Sequence, residues 1–525
     1  MDARKATSKR PARPVHRPVR PPLTAVLVGT LLTLASALPA WAQISPGDEI
    51  TPPPETTGWK FTELVSKNHD DNAYNPDIAT GSGGRQFVAW FEIAPVTGNR
   101  RLFFSHRAAG YGQSWSTPAI VTEIVPEGGL YPMPCPSLAC GGSDWVHFVW
   151  SLNRLEGAGG IFYRKYNSQT STWEPATQLV TGPTRGCPRL VADTNDNLHI
   201  VWAGNDGVYY RQFDKNLNGW LEALRLSQTA DTFWAPGIAV GGNGSIHVAW
   251  VAGDGSWQSA LYYRSRSPGV PWSEVQTLAT HKPAPNCDPA HDKDYPAPIN
   301  PSLAAEKDGT VHLAWTQRIC RRISVNNVPE GHILYKRYST AAGWTNEEDI
   351  SGPRPGGLAD RSSTDSALAL TTPGLLFWPG SRGQKPVLHV IWREKTYAWA
   401  TNYTNRILYR NYPSASGPWS EIYEVQKFNE PDQTGGFVEF SRPALSVDSS
   451  RTRGVTVHTT WAYRTDLLNS GPDIDVFYRR YVHDPPMFLL RESVLRSSIY
   501  VAIIALGTLA AIYGYRRYRS SRARP

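Results

Sequence analysis

Residues 244–278 read GSIHVAWVAGDGSWQSALYYRSRSPGVPWSEVQTL, and three short words in that stretch recur along the chain. The first, apolar-His-x-x-Trp, appears as VHFVW, LHIVW, IHVAW, VHLAW, LHVIW and VHTTW, ending at Trp150, Trp202, Trp250, Trp315, Trp392 and Trp461. QFVAW, ending at Trp90, is a further copy with Phe87 in the His place. After each comes an aromatic-basic word: LFFSHR, IFYRKY, VYYRQF, LYYRSR, ILYKRY, ILYRNY and VFYRRY. Ahead of each lies a word shaped like Pro-x-Leu-Ala, such as PDIAT, PSLAC, PRLVA, PGIAV, PSLAA, SALAL and PALSV. We call these words A, B and C in chain order. A to B is often a tight turn such as GGNGS or EKDGT, whose Asn-Gly and Asp-Gly tolerate positive φ.

A fourth word, D, is built around a tryptophan and follows every C word but the last, at Trp115, Trp173, Trp220, Trp272, Trp344 and Trp419. The missing D word stands at the other end, as TGWKFTELVS with Trp59. Seven sets of four short strands are complete only if that N-terminal strand pairs with the C-terminal A, B and C strands. This is the arrangement of a seven-bladed β-propeller closed by an N-terminal strand, an all-β fold. The B-word tryptophans are 60, 52, 48, 65, 77 and 69 residues apart. A propeller blade needs roughly 40–50 residues, so the surplus is loop insertion. The propeller is expected over residues 58–483.

The ends have another composition. Residues 1–22 carry seven Lys/Arg against one acid, and an apolar run leads to the small-x-small site Ala40-Trp41-Ala42. Residues 1–42 therefore read as a secretory signal with a long basic region, cleaved after Ala42 or retained as an anchor; residues 43–57 form a linker. At the other end, residues 497–515 are uncharged and mostly apolar, and RRYRSSRARP follows. A span of that length crosses a ~30 Å hydrocarbon core as a helix, with the basic tail 516–525 on the cytoplasmic side. Residues 484–496 join it to the propeller. The expected location is a single-pass cell-membrane protein with its propeller on the extracytoplasmic side. The formal charge is +8, of which residues 1–22 carry +6 and residues 496–525 another +6, so the remainder is near −4. The basic isoelectric point thus reports topology and excludes nucleic acid as a partner.

A residue repeated in every blade cannot be part of one active site. The B-word His and C-word Tyr are expected to bond within their blades, and the D-word Trp to pack between neighbours. Function belongs where the repeat breaks. The D-to-A and B-to-C links share the top face, which receives the long insertions 279–300, 316–332, 351–365, 393–405 and 462–475. Trp234, Trp257 and Trp399 fall in such links, as does Tyr295, and we take them as ligand-binding candidates. Arg185, Arg361 and Arg442 stand near A-strand starts, where they can gather at the channel mouth to bind a carboxylate. Trp378 is in an A-to-B insertion on the bottom face. Five cysteines suit an oxidising compartment. Cys287 and Cys320 share the top of one blade, and Cys135 and Cys187 hold equivalent places in neighbouring blades, which makes two candidate bridges and leaves Cys140 free. No zinc spacing occurs. CDPAHDKDYP (287–296) offers oxygen ligands for calcium but misses the calcium-loop pattern, so no metal or cofactor is expected.

The A–D words resemble the sialidase-like (Asp-box-type) β-propeller superfamily over roughly residues 58–483. Its Asp-box, Ser-x-Asp-x-Gly-x-Thr-Trp, belongs to the C-to-D turn. Here those turns read YNSQTSTW, FDKNLNGW and SRSPGVPW, keeping the Trp and losing most of the Asp and Gly pattern. The family's Arg-Ile-Pro motif is nearest to FSRPAL (440–445), with Arg442 one residue closer to its proline; on a strand that shift would turn the side chain to the opposite face. No Tyr-Glu nucleophile pair is assignable, and no catalytic residue is carried over. The resemblance implies a binding module for glycans or a surface protein partner, acting through the top face. The alternatives are a carbohydrate-active enzyme, glycosidase or polysaccharide lyase, with Asp292, Asp294, Asp360 and Asp365 as loop carboxylates, and a cell-envelope assembly factor.

Overall fold

In the computed structural model, the described residues are 58–484 except 68–71, 95–97, 110–111, 125–134, 153–158, 228–235, 254–258, 282–297, 320–329, 353–359, 372–385, 400–401, 414–416, 430–441, 451–453 and 465–473. They form seven antiparallel blades in A-B-C-D order. The A strands are Asn72–Thr80, Pro136–Cys140, Arg185–Ala192, Gly237–Val240, Pro298–Ala305, Asp360–Thr371 and Ala444–Ser450. The A-to-B turns close as the sequence dictates: Gly244 and Gly309 take φ 79° and 89°, which a side chain would resist. Among the described residues the one helical element is a 3-10 turn, Ser82–Gly84, and no helix is long and apolar enough to cross a membrane. The signal, the linkers' chain ends, the 497–515 span and the basic tail lie outside the described residues.

Closure occurs as the missing D word requires. Gly58 and Trp59 pair with Val482 and Tyr481, and Glu63 and Leu64 with Tyr478 and Phe477, so the N-terminal strand completes blade 7.

Each blade is fastened to the next by one repeated contact. The D-word Trp of a blade meets the C-word ring of the preceding blade edge-on: Trp173 on Phe104, Trp220 on Tyr163, Trp272 on Tyr210, Trp344 on Tyr263, Trp419 on Tyr335, Trp59 on Tyr409 and Trp115 on Tyr478. Centroid separations run from 4.9 Å to 5.4 Å, and interplanar angles from 70° to 90°. Such T-shaped pairs stabilise by about 0.5–1.5 kcal/mol beyond area burial. The C-word cation adds a second fastening. Arg211, for example, donates to Leu221 O in its own blade and to Leu179 O in the blade before, 2.5 and 2.6 Å away. Arg264, Arg410 and Arg479 repeat the pattern.

The same C-word Tyr is fixed from within its blade by the B-word His. His147, His199, His247, His312, His389 and His458 each place Nδ1 within 2.6–2.8 Å of the Tyr hydroxyl. Burial pushes His147 and His247 down to about 4, so both rings are neutral at pH 7. Blade 1 shows the rule by its exception. Phe87 replaces the His and Phe104 replaces the Tyr, and the two rings stack at 6.0 Å and 8°. Both members of the hydrogen bond are absent together, so neither is orphaned in the core.

Two outcomes are expected. Removing residues 43–66 takes away the closing strand and lowers the melting temperature of the whole ring in calorimetry; an unchanged value would refute closure. His147→Phe leaves the Tyr163 hydroxyl buried without its partner, at about 1–3 kcal/mol. Adding Tyr163→Phe recovers most of that loss in urea unfolding, because blade 1 already uses this pair.

Candidate functional site

The seven A strands surround a central channel, and residues of the A words line a cavity of about 230 Å³ within it. All seven blades line it, so its chemistry is set by whichever residue each A word places there. In four blades the A strand slips register at this level, between Tyr74 and Asp77, Arg185 and Arg189, Ile299 and Ser302, and Thr364 and Ala367. Each slip contains a residue in the left-handed region: Asn75 at 48°, Gly186 at 68°, Asn300 at 53° and Asp365 at 59°. Bulges of this kind re-aim side chains and are common beside binding sites.

The bulges of blades 5 and 6 build a charged cluster with blade 7. Asn300 Nδ2 donates to Asp365 Oδ1, and Arg442 donates to Asn300 Oδ1. Arg393 Nε is 3.1 Å from Asp365 Oδ2 and Arg442 Nε is 4.0 Å from Asp365 Oδ1. The Asp365 backbone N–H donates to Thr316 Oγ1 at 2.9 Å, which holds the bulge. One carboxylate therefore faces two guanidiniums. Burial, and repulsion from Arg189 and Arg393, bring Arg442 down to about 10, against the pull of Asp365; it remains charged at neutral pH.

Across the channel, Arg189 and Asp77 supply the other charges. Burial raises the Asp77 carboxyl, with Arg189 acting in the opposite direction. Asp77 Oδ2 accepts from the Leu138 N–H at 2.8 Å. The equivalent Ser137 and Ser302 accept from Leu190 and Leu368, one blade on, at 3.2 and 3.1 Å. The Arg189 guanidinium lines the cavity and makes no hydrogen bond or ion pair among the described residues. Cys135 and Cys187 form a disulfide at the entries of blades 2 and 3, with Cα atoms 5.3 Å apart, and Cys140 is free. Asn75 Nδ2 lies 3.7 Å from Cys135 Sγ. Among the described residues no group of three His, Cys, Asp or Glu side chains is placed to hold a metal ion.

Of the expected site residues, Arg442 lines the cavity. Strand alternation does not turn it away, because its blade's A strand begins only at Ala444. Arg185 starts the A strand of blade 3, opposite Ala203, and is not in the cavity wall. Arg361 and Asp360 belong to the A strand of blade 6, and Trp399 ends the B strand of that blade; their side chains are outside the described residues. Trp234, Trp257, Tyr295, Cys287, Cys320, Asp292 and Asp294 also fall outside them. Arg189 and Arg393 were overlooked, although both break the repeat. Arg189 is the one basic residue following an A-word Pro, and Arg393 the one charge following a B-word Trp.

No family model matches the sequence, and no curated protein matches it. Solved structures do match at the level of fold. A polysaccharide lyase of family PL25, an ulvan lyase bound to -[GlcA(1-4)Rha3S]-, aligns over 79% of this chain and 95% of its own, with a TM-score of 0.50 and 12% identity. An α-L-arabinanase from Penicillium chrysogenum, complexed with arabinobiose, covers 81% of this chain and 98% of its own at TM-score 0.38 and 11% identity. The Hadza microbial sialidase Hz136 covers 76% of each chain at TM-score 0.38 and 10% identity. The likeness is one of fold, the β-propeller.

Asp365→Ala would leave Arg393 and Arg442 without their shared counter-charge. A loss of about 3–5 kcal/mol is expected in chemical unfolding, the cost of breaking a buried ion pair from one side; a loss near zero would show that the cluster is solvated.

Proposed function

We propose that this propeller is an extracytoplasmic binding module, tethered by residues 497–515, which takes an acidic glycan at the arginine-lined entry of its channel. The observation that carries the reading is Arg189: a guanidinium in the cavity wall without a bonded partner, across from the Arg442–Asp365–Arg393 cluster. Planar guanidiniums bind carboxylate and sulfate in two-pronged fashion. The ligand in the ulvan lyase structure is a uronate–sulfate repeat, which supports an anionic sugar here. The top-face tryptophans Trp234, Trp257 and Trp399 would extend the site as stacking surfaces for sugar rings.

Titration of the full chain in detergent with uronate-containing, sulfated and neutral oligosaccharides tests this. Acidic sugars should bind and neutral ones should not. Arg189→Gln should weaken binding tenfold or more, since a hydrogen bond to a charged group contributes roughly 1.5–3 kcal/mol and about 1.4 kcal/mol is tenfold. Substituting the three tryptophans with Ala should weaken it further without changing the melting temperature. No binding to any acidic sugar by folded protein would overturn the reading. A carbohydrate-active enzyme is the second reading, favoured by Asp77, whose raised carboxyl suits a proton donor. Appearance of shortened or unsaturated products, lost in Asp77→Asn, would establish it.

A further inference from the structure

The faces of the ring are distinguished by where the chain leaves it. Because the blades are antiparallel, A strands end and C strands end at one face, the exit face, and A strands begin at the other, the entry face. The last strand, Ile474–Asp484, is a C strand. Its final residues, and Gly58 paired with Val482, are at the exit face.

That exit face carries exposed aliphatic side chains. Leu217 tops the C-to-D turn of blade 3 and is 71% exposed, and Val270 tops the corresponding turn of blade 4 and is 55% exposed. Blades 3 and 4 stand across the ring from blade 7, from which the chain departs.

We infer that the exit face rests on the lipid surface, with Leu217 and Val270 in the headgroup–acyl boundary and the face where A strands begin turned away from the membrane. This rests on the reading of residues 497–515 as the anchor. Twelve residues, 485–496, separate the last strand from that run. Twelve residues reach at most about 40 Å. The blades are about 27 Å deep, from eight-residue strands at ~3.3–3.4 Å per residue. Placing the entry face on the bilayer would make the connector cross the full depth of the ring, about two thirds of its greatest reach. Placing the exit face there costs no extension. An anchor beneath blade 7 fixes one edge of the ring, and the aliphatic tips of blades 3 and 4 meet the bilayer at the opposite edge. Two such side chains add modest interfacial affinity, which suffices once the anchor has made the contact intramolecular.

The test uses the full chain in phosphatidylcholine–phosphatidylglycerol vesicles, with an encoded fluorescent amino acid replacing Leu217, Val270 or Thr181. Thr181 ends the D strand of blade 2 at the entry face and is exposed. Brominated phospholipid should quench the reporter at 217 and at 270 and leave that at 181 unchanged. Leu217→Asp should reduce quenching of the reporter at 270. Quenching at 181, or at none of the three in chains that float with the vesicles, overturns the docking. Chains that fail to float overturn the anchor itself.

Discussion

The structure depends on the edge-on contact between the D-word tryptophan of each blade and the C-word ring of the blade before it. A four-stranded blade buries its faces only against neighbours, so a ring holds only if every boundary is filled. The tryptophan spans the boundary; the tyrosine receives it, and the histidine fixes the tyrosine by a hydrogen bond that water does not reach. A ring of seven such contacts is closed by Trp59 on Tyr409 and Trp115 on Tyr478, which makes the N-terminal strand part of the same cooperative unit as the C-terminal blade. The pairing of Phe87 with Phe104 shows which part of the device is obligatory. The aromatic surface for the next tryptophan is kept, because Trp173 still packs edge-on against Phe104. The polar pair is dispensable only as a pair, since a single buried hydroxyl or imidazole would have been left unsatisfied.

With the outer boundaries filled by repeated residues, the inner strands are free to vary. The position following the A-word proline reads Asp77, Ser137, Arg189, Gly237, Ser302, Ala367 and Ala444 around the channel. Three of these side chains accept a backbone hydrogen bond from the next blade, an interaction that serves the scaffold. Arg189 has no acceptor and cannot do so, and Gly237 is small because a Cβ there would meet Pro301 O at 2.5 Å. The preceding positions bring Asn300, Asp365 and Arg442 together and join Cys135 to Cys187. The channel entry is thus charged on the arcs of blades 1, 3 and 5–7, and held by a covalent strut in between.

Much of this was legible in the sequence because repetition supplies its own control. Seven His/Phe, Tyr/Phe and Trp positions announce the blades, and the displaced Trp59 announces the closure. The bridge between Cys135 and Cys187 followed from their equivalent places. The cluster around Asp365 was only half legible. Asp365 and Arg442 were candidates from their locations, but their meeting depends on register slips at Asn300 and Asp365, where the backbone turns left-handed. A bulge moves a side chain off the alternation that a sequence reading relies on, so neither the Asn300 bridge nor the part of Arg393 could be read in advance. Arg189 departs from the A word in sequence, yet a single basic residue on a strand does not by itself reveal that it lines the channel.

That contrast bears on where a ligand is recognised. Loops decide access, but the charges of the channel stand on strands or beside them, and fixed charge discriminates more sharply than mobile charge. Arg189 is on an A strand, Arg393 on a B strand and Arg442 just before an A strand, and the one carboxylate that opposes Arg393 and Arg442 is held by Asn300 and Thr316. The cavity wall thus sets Arg189 and Arg442 against Asp77, with Asp365 shared between Arg442 and Arg393.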